Sequence, residues 1–455
     1  MTHPLIALID IGKTHAKVSV IDPQSGAEIR GSRRANAVVQ SSAMRELDVE
    51  AISQWLLDAL RDAPHRDCIR TLVPVAHGAA AVLIDHNHGV VAAPDYEDAC
   101  FERVNAEYRH QRDAYQSTYS PDLPLGLNLG RQLFFLQEAQ PRLFSRVAHA
   151  LLYPQFWAWR LSGVMASEVT SLGCHSDLWL PREQTFSKLA QARGWSKLFP
   201  ARKLAGDVLG PISAQVATAT GLDPQCQVTC GIHDSNASYL KFLIARERDE
   251  PFTVISSGTW TVVMANRADL SRLREDRDML ASVDAFGSPV ATARFMGGRE
   301  YEAIAGTEAR PNLPALLNVL ERQSMAVPAF ASGGPFAGRE GCLVNADNLS
   351  GSERASIATL YVALMCELLI EMLGADGTVL IDGPLATNPL FGSILGALLP
   401  SRSVELSAGD GGNTHAACYL AGFHDAPSQL MTPATALTLT SLPAYREAWR
   451  KRALG

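Results

Sequence analysis

The chain has 455 residues, 47% of them hydrophobic and 19% charged, which supplies a core, excludes an intrinsically disordered chain, and exceeds the roughly 250–300 residues that one core organises. Two domains are therefore expected. Forty Lys and Arg against 47 Asp and Glu leave a net charge of −7, which argues against a nucleic-acid partner, because a phosphate backbone is met by a basic surplus.

In chain order, Leu5 to Ile9 are apolar, Asp10, Gly12, Lys13 and Thr14 form a polar turn, and Ala16, Val18 and Val20 alternate with polar residues. The pattern predicts strand, turn, strand. Neither a cationic stretch followed by an apolar run at the N-terminus nor any uninterrupted run of 18 apolar residues occurs, so a cytoplasmic protein without a membrane partner is expected. Asp48 caps a predicted helix with Val49, Ile52, Leu56, Leu57 and Leu60 on one face, and a strand follows at Thr71 to Val75, ahead of His77 and Gly78. Residues 95–129 are polar, aperiodic and interrupted by prolines at 121 and 124, and read as a long loop near a ligand. After Val228 to Gly231, a helix is expected from Asn236. The charged run Arg246 to Glu250 marks the expected boundary between domains 1–247 and 248–455.

The opening pattern then returns. Phe252 to Ile255, the turn Ser256-Ser257-Gly258-Thr259 and Thr261 to Met264 predict a second hairpin. Ile357 to Met372 carry a helical rhythm stopped by Gly374, Thr378 to Ile381 read as a buried strand, and Gly409-Asp410-Gly411-Gly412-Asn413 leads into an apolar helix at Ala416 to Ala421. Strands alternating with helices indicate α/β layers. The eight cysteines are scattered, with only Cys226 and Cys230 close together, and read as reduced thiols packed as small hydrophobes.

Gly12-Lys13-Thr14 is not a Walker A loop, because position 7, where that loop needs its first glycine, is alanine. What remains is an acid, Asp10, ending a strand, and a turn whose N–H groups, Lys13 and Thr14 could face an anion or simply close a hairpin. With Ser257, Gly258 and Thr259 it forms a pair of turns able to hold a polyphosphate from two sides. Asp234, opening a helix after His233, is either a cap or a general base toward an alcohol attacking phosphorus. Gly383, Asn388, Gly411 and Gly412 stand where backbone either approaches a nucleotide closely or merely caps helices. His77 is a buried histidine or a hydrogen-bonding partner for ligand hydroxyls, while Trp157 and Trp159 are expected in the core.

Taken together, Asp10-Ile11-Gly12-Lys13-Thr14, Gly231-Ile232-His233-Asp234, Ser257-Gly258-Thr259-Trp260 and Gly383 through Asn388 resemble the FGGY family of carbohydrate kinases, as does Tyr153 through Gly163. Within the family, His233-Asp234-Ser235-Asn236-Ala237 and Glu168-Val169-Thr170-Ser171 are most similar to the rhamnulokinase branch, which phosphorylates a 6-deoxyketose at O1. The resemblance implies an α/β fold of two actin-like (ribonuclease H-like) domains flanking an ATP/sugar cleft, the first binding sugar and the second nucleotide. It implies Asp234 as base and Asp10 as the holder of Mg²⁺. Gly12, Lys13, Thr14, Ser257, Gly258, Thr259, Gly383, Asn388, Gly411 and Gly412 are then expected around ATP, and His77, Gly78, Asp95, His233 and Asp234 around the sugar. A non-catalytic actin-like module that binds ATP as a sensor or assembly unit is the alternative, and a homo-oligomer is left open.

Overall fold

The computed structural model describes residues 3–247, 249–307, 309–408, 412–425 and 431–455. The chain divides into two compact units. The first comprises Met1–Glu247, Ala281–Pro289 and Gly411–Ser428, and the second Arg248–Leu280, Val290–Asp410 and Gln429–Gly455. The main crossover thus falls where the charged run stands, but a contiguous second domain of 248–455 is corrected: two later segments return to the first unit, drawn by apolar contacts that local composition does not reveal.

The first unit is built on a seven-stranded sheet, in which Val208–Pro211, Gln227–Thr229, Ile69–Ala76, Leu5–Ile11, His15–Asp22 and Ala27–Ala35 lie side by side and Ile232–His233 also pairs with Ile69–Ala76. Leu5–Ile11 is apolar on both faces because both are covered. Leu5, Ala7, Ile9 and Ile11 pack with Ile52, Leu56 and Leu60 of the helix Val49–Arg61 and with Phe156 and Trp157 of the helix Tyr153–Ser162. Ile6 and Leu8 face the other way, against Ala237 and Leu240 of the helix Asp234–Ile244 and Ala416 and Ala417 of the helix Gly412–Leu420. The strand's period of two therefore delivers Asp10 to this second face, at the strand's C-terminal end.

Residues 95–129 are not the open loop that was expected. They form a 3-10 turn at Ala99–Val104 and short helices at Asn105–Gln111 and Tyr115–Thr118. Phe101, Tyr108 and Tyr115 are buried, and the Tyr108 hydroxyl donates to Asp177 at 2.6 Å. All eight cysteines are free of disulfides, and Trp157 and Trp159 are buried.

The second unit repeats the plan. Its sheet includes Thr261–Asn266, Phe252–Ser257, Thr378–Asp382, Val404–Ser407 and Met431–Pro433, with the strand Pro289–Phe295 beside Thr261–Asn266. As in the first unit, an antiparallel meander lies beside parallel strands. Behind it runs the helix Gly351–Leu373, started by a Ser350–Glu353 capping box and ended by Gly374 at φ 60. That helix is long and apolar enough to cross a membrane, yet 89% of its apolar window is buried inside the fold.

Candidate active site

In the first unit, three parallel strands end in register. Asp10 pairs with Val75, and Ile232 with Val75; Ile11 pairs with Ala76, and His233 with Ala76. The residues that follow, including Gly12, His77 and Asp234, therefore emerge together at the carboxyl edge of the sheet, where α/β folds place ligands.

Asp234 opens the helix Asp234–Ile244. Its Oδ1 accepts from the Ser235 N–H at 2.6 Å and the Ser235 hydroxyl at 3.2 Å, and lies 3.2 Å from His233 Nε2. Among the described residues Oδ2 has no such partner, and about a third of the side chain is exposed. His233 is buried, with Nδ1 3.2 Å from the Asn236 amide. Burial would strip its proton, but Cys174, Asp234 and Glu168 around it outweigh that and raise its pKa to about 9. Gly78 lets this ring lie against the backbone, since a Cβ there would sit 2.6 Å from His233 Nε2. His77 is buried between Tyr153 and Tyr96, with ring centroids 4.7 and 5.8 Å away. Its Nδ1 bonds to the Gly78 carbonyl at 2.9 Å, whereas the buried Nε2 has no hydrogen-bond partner among the described residues. Burial first, with Lys13 and His233 adding, lowers its pKa, so the neutral ring can both donate and accept.

Asp10 accepts a hydrogen bond from the Asn413 amide at 2.9 Å. Burial, with Asp234 adding repulsion against that bond, raises its pKa to about 6. Two carboxylates that repel each other at the end of a strand, one of them poorly solvated, form the oxygen-rich setting a divalent cation relieves, so the residues fit Mg²⁺.

Lys13 is not free to face a phosphate. Its ammonium is bonded to Asp95, lies 3.4 Å from Glu97 and stands 5.2 Å over the Tyr96 ring. Arg45 closes on Asp95 from the other side. Burial opposes the charge of Asp95, but the bonds from Lys13 and Arg45 prevail and its pKa falls. Lys13 and Asp95, expected in different ligand shells, are thus partners. Thr14 is exposed, its hydroxyl 3.1 Å from His15 Nδ1.

The second unit has its own pocket, of about 540 Å³, lined by Ser257, Gly258, Thr259, Gly297, Gly298, Arg299, Tyr301, Pro384, Thr387 and Asn388 among others, a size that suits a small-molecule ligand. Its floor is again a register effect: Ser256 pairs with Asp382, so Ser257 and Gly383 leave their strands together. The Ser257 hydroxyl donates to the Asp382 carbonyl at 2.6 Å and accepts from the Leu385 N–H at 3.0 Å, so it braces the turn through Gly383, at φ 78. Asn388 is likewise employed: Oδ1 accepts from the N–H groups of Leu390 and Phe391, both at 3.1 Å, where the helix Phe391–Leu398 begins. Thr259 is exposed at the tip of the hairpin. Gly412 opens a helix grouped with the first unit rather than with this pocket, and Gly411 lies outside the described residues.

The sequence reading missed Gly297 and Gly298, which start the helix Gly297–Ala305 and carry its N–H groups to the Gly258–Thr259 turn; the Gly298 N–H donates to the Thr259 carbonyl at 3.2 Å. A glycine pair between an apolar strand and a helix was the available signal. Asn413 was quoted only as part of a glycine turn, and its bond to Asp10 spans 403 residues of sequence.

Residues 249–429 match the family described as the C-terminal domain of FGGY carbohydrate kinases. A solved carbohydrate kinase from Novosphingobium aromaticivorans is 34% identical, with a TM-score of 0.93 and a match covering 100% of this chain and 99% of that one. The L-fuculokinase of Escherichia coli (strain K12) is 25% identical over 286 residues, 59% of this chain and 58% of the relative. The rhamnulokinase of Enterobacter sp. (strain 638) is 28% identical over 200 residues, 41% of this chain and 37% of the relative. This chain therefore spans little more than half the length of the first of these curated relatives and just over a third of the second.

Proposed function

The chain belongs to the FGGY family of carbohydrate kinases, and from that premise we propose that it transfers the γ-phosphate of ATP to a hydroxyl of a ketose, in the cytoplasm, with Asp234 as general base. The names of the matched relatives, an L-fuculokinase and a rhamnulokinase, favour a 6-deoxyketose as acceptor, and the resemblance to the rhamnulokinase branch adds O1 as the hydroxyl phosphorylated. The observation that carries the reading is Asp234 itself. One carboxylate oxygen is held by Ser235 and His233 and the other is free of such bonds at the edge of three aligned strands.

Phosphoryl transfer asks a protein mainly for positioning and electrostatics. In this reading Asp234 Oδ2 accepts the proton of the attacking hydroxyl as that oxygen bonds to the γ-phosphorus and ADP departs. His77 Nε2, without a hydrogen-bond partner among the described residues, is assigned to a second sugar hydroxyl, and the half-buried Tyr96 ring beside it offers apolar surface to the carbon skeleton. In the second unit, the Thr259 N–H and hydroxyl, the Arg299 side chain and the positive end of the helix begun by Gly297 meet nucleotide phosphate oxygens. Asp10 would hold Mg²⁺, directly or through its waters, and the ion would neutralise charge on the transferring phosphate.

The test is an ADP-release assay over L-rhamnulose, L-fuculose, xylulose, glycerol and gluconate. The Asp234→Asn variant should lose roughly 10² to 10⁴ in turnover, the usual worth of general-base catalysis, while retaining calorimetric binding of ATP and of the preferred ketose. Near-native turnover would remove Asp234 from the chemistry. ATP binding without turnover of any sugar by the native protein would favour the non-catalytic alternative.

A further inference from the structure

Behind the His233–Asp234 peptide lies a buried polar chain that the catalytic reading does not use. Glu168, Thr170 and Gln155 are all fully buried. The Thr170 hydroxyl donates to Glu168 Oε2, and the Thr170 N–H donates to the same oxygen at 2.9 Å. The same hydroxyl accepts the backbone N–H of His233 at 3.1 Å. Gln155 holds the chain two residues earlier, its amide donating to the carbonyls of Cys230 and Gly231 at 3.1 and 3.0 Å.

A hydroxyl has one proton to give. Glu168 takes it, so a lone pair of Thr170 is left aimed at His233. Ile232–His233 is paired on one side only, with Val75 and Ala76, and its outward N–H would be an orphan without Thr170. Burying a carboxyl for this purpose is costly. Glu168 Oε1 has no hydrogen-bond partner among the described residues, and buried polar atoms are ordinarily satisfied. Burial raises the pKa of Glu168 to about 7 against the bonds from Thr170. A position that needed only volume would be filled by an apolar residue at lower cost.

We propose that Glu168 and Thr170 are positioning residues for the acceptor site: Glu168 orients the Thr170 hydroxyl, the hydroxyl pins the His233 peptide, and the pinned peptide sets the direction of the Asp234 carboxylate. The proposal rests on Asp234 being the base. Neither residue touches substrate, so its loss should lower kcat with little change in the KM for ATP.

The experiment compares Thr170→Val, which keeps the shape and removes the hydroxyl, with Thr170→Ser, which restores it, using whichever of L-rhamnulose and L-fuculose the native protein turns over faster. Thr170→Val should lose about 10- to 100-fold in kcat, the scale of an ångström misplacement, with the ATP KM within about twofold, and Thr170→Ser should recover to within about threefold of native. On the Asp234→Asn background Thr170→Val should cost nothing further, because the two changes act through one group. If Asp234→Asn is inactive while folded Thr170→Val keeps native kcat, positioning is refuted and the base survives. If Asp234→Asn is active, the base assignment itself has failed. Should Thr170→Val not fold, Glu168→Gln, which keeps an acceptor oxygen for the hydroxyl, is compared with Glu168→Leu, which does not; equal kcat in that pair overturns the proposal.

Discussion

Replacing Gly298 by alanine tests how the pocket proposed for nucleotide is held open. A Cβ on Gly298 would lie 2.2 Å from the Gly258 carbonyl oxygen and 3.2 Å from Thr259 Cα, whereas real Cβ contacts essentially never fall under 3.0 Å. The obstacle is backbone on both sides, so the Gly258–Thr259 turn and the start of the helix Gly297–Ala305 must part by at least 0.8 Å. Overpacking of this kind costs about 1–3 kcal/mol of stability. The functional cost should be larger than a uniform loss of stability gives, because a misplacement near 1 Å in a positioned site costs on the order of 10²-fold, or about 3 kcal/mol of transition-state stabilisation. Steady-state ADP release at varied ATP, calorimetric nucleotide binding and a thermal melt separate the effects. Folded Gly298→Ala should show weakened ATP binding and kcat/KM for ATP reduced about 10²-fold, with ketose binding preserved, since the residues proposed to face the ketose belong to the other unit. Native kcat/KM for ATP in a folded variant would refute the view that this close approach shapes the pocket.

Thr259→Ala should raise the ATP KM several-fold and leave ketose affinity intact, because Thr259 lines the second unit's pocket; a calorimetric ketose titration without nucleotide is the control. Asp10→Asn should raise the Mg²⁺ concentration for half-maximal activity without lowering the melting temperature at pH 7.5, since the folded pKa of about 6 lies above the ordinary 3.8 and the charged form is the uncomfortable one. Glu168→Gln should flatten the pH dependence of stability. The Glu168 pKa rises from 4.5 to about 7 on folding, so its contribution is fully present below about pH 4.5 and is lost as pH rises through 7, a fall of roughly 3 kcal/mol at most. Melts of the two proteins across that window should diverge, and parallel curves would contradict the shift.

The two hairpins, the strands near 71–75 and 378–381 and the helices after Asp48 and before Gly374 were legible because their signals are local. Leu5–Ile9 is apolar throughout, Asp48 caps Val49–Arg61 through a side-chain bond to Ala51, and Gly374 ends the long helix. Residues 95–129 were not legible as structure. Their apolar side chains follow no single period, and their polar ones are spent inside: Asn128 donates to Ser120, Pro121 and His175 and accepts from Leu123. The fate of Lys13 was equally hidden. Local turn chemistry offered its charge to an anion, but its carboxylate partner stands 82 residues away. Distance along the chain also concealed the return of 411–428 to the first unit.

The two units share a plan and differ in what they put at its edge. Each ends aligned parallel strands at one rim, through Asp10–Val75–Ile232 in the first and Ser256–Asp382 in the second. The first rim carries the acids Asp10 and Asp234 with His77 and His233, while Lys13 and Arg45 are already claimed by Asp95. Such a rim repels a polyanion and suits an uncharged polyol, whose hydroxyls exchange hydrogen bonds with carboxylate and imidazole. The second rim offers backbone N–H groups at a helix start, the hydroxyl of Thr259 and the side chain of Arg299, which suit phosphate. In the proposed reaction a phosphate oxygen would meet Asp10 only with a cation between them, and the burial that raises the Asp10 pKa to about 6 is what a bound cation would offset.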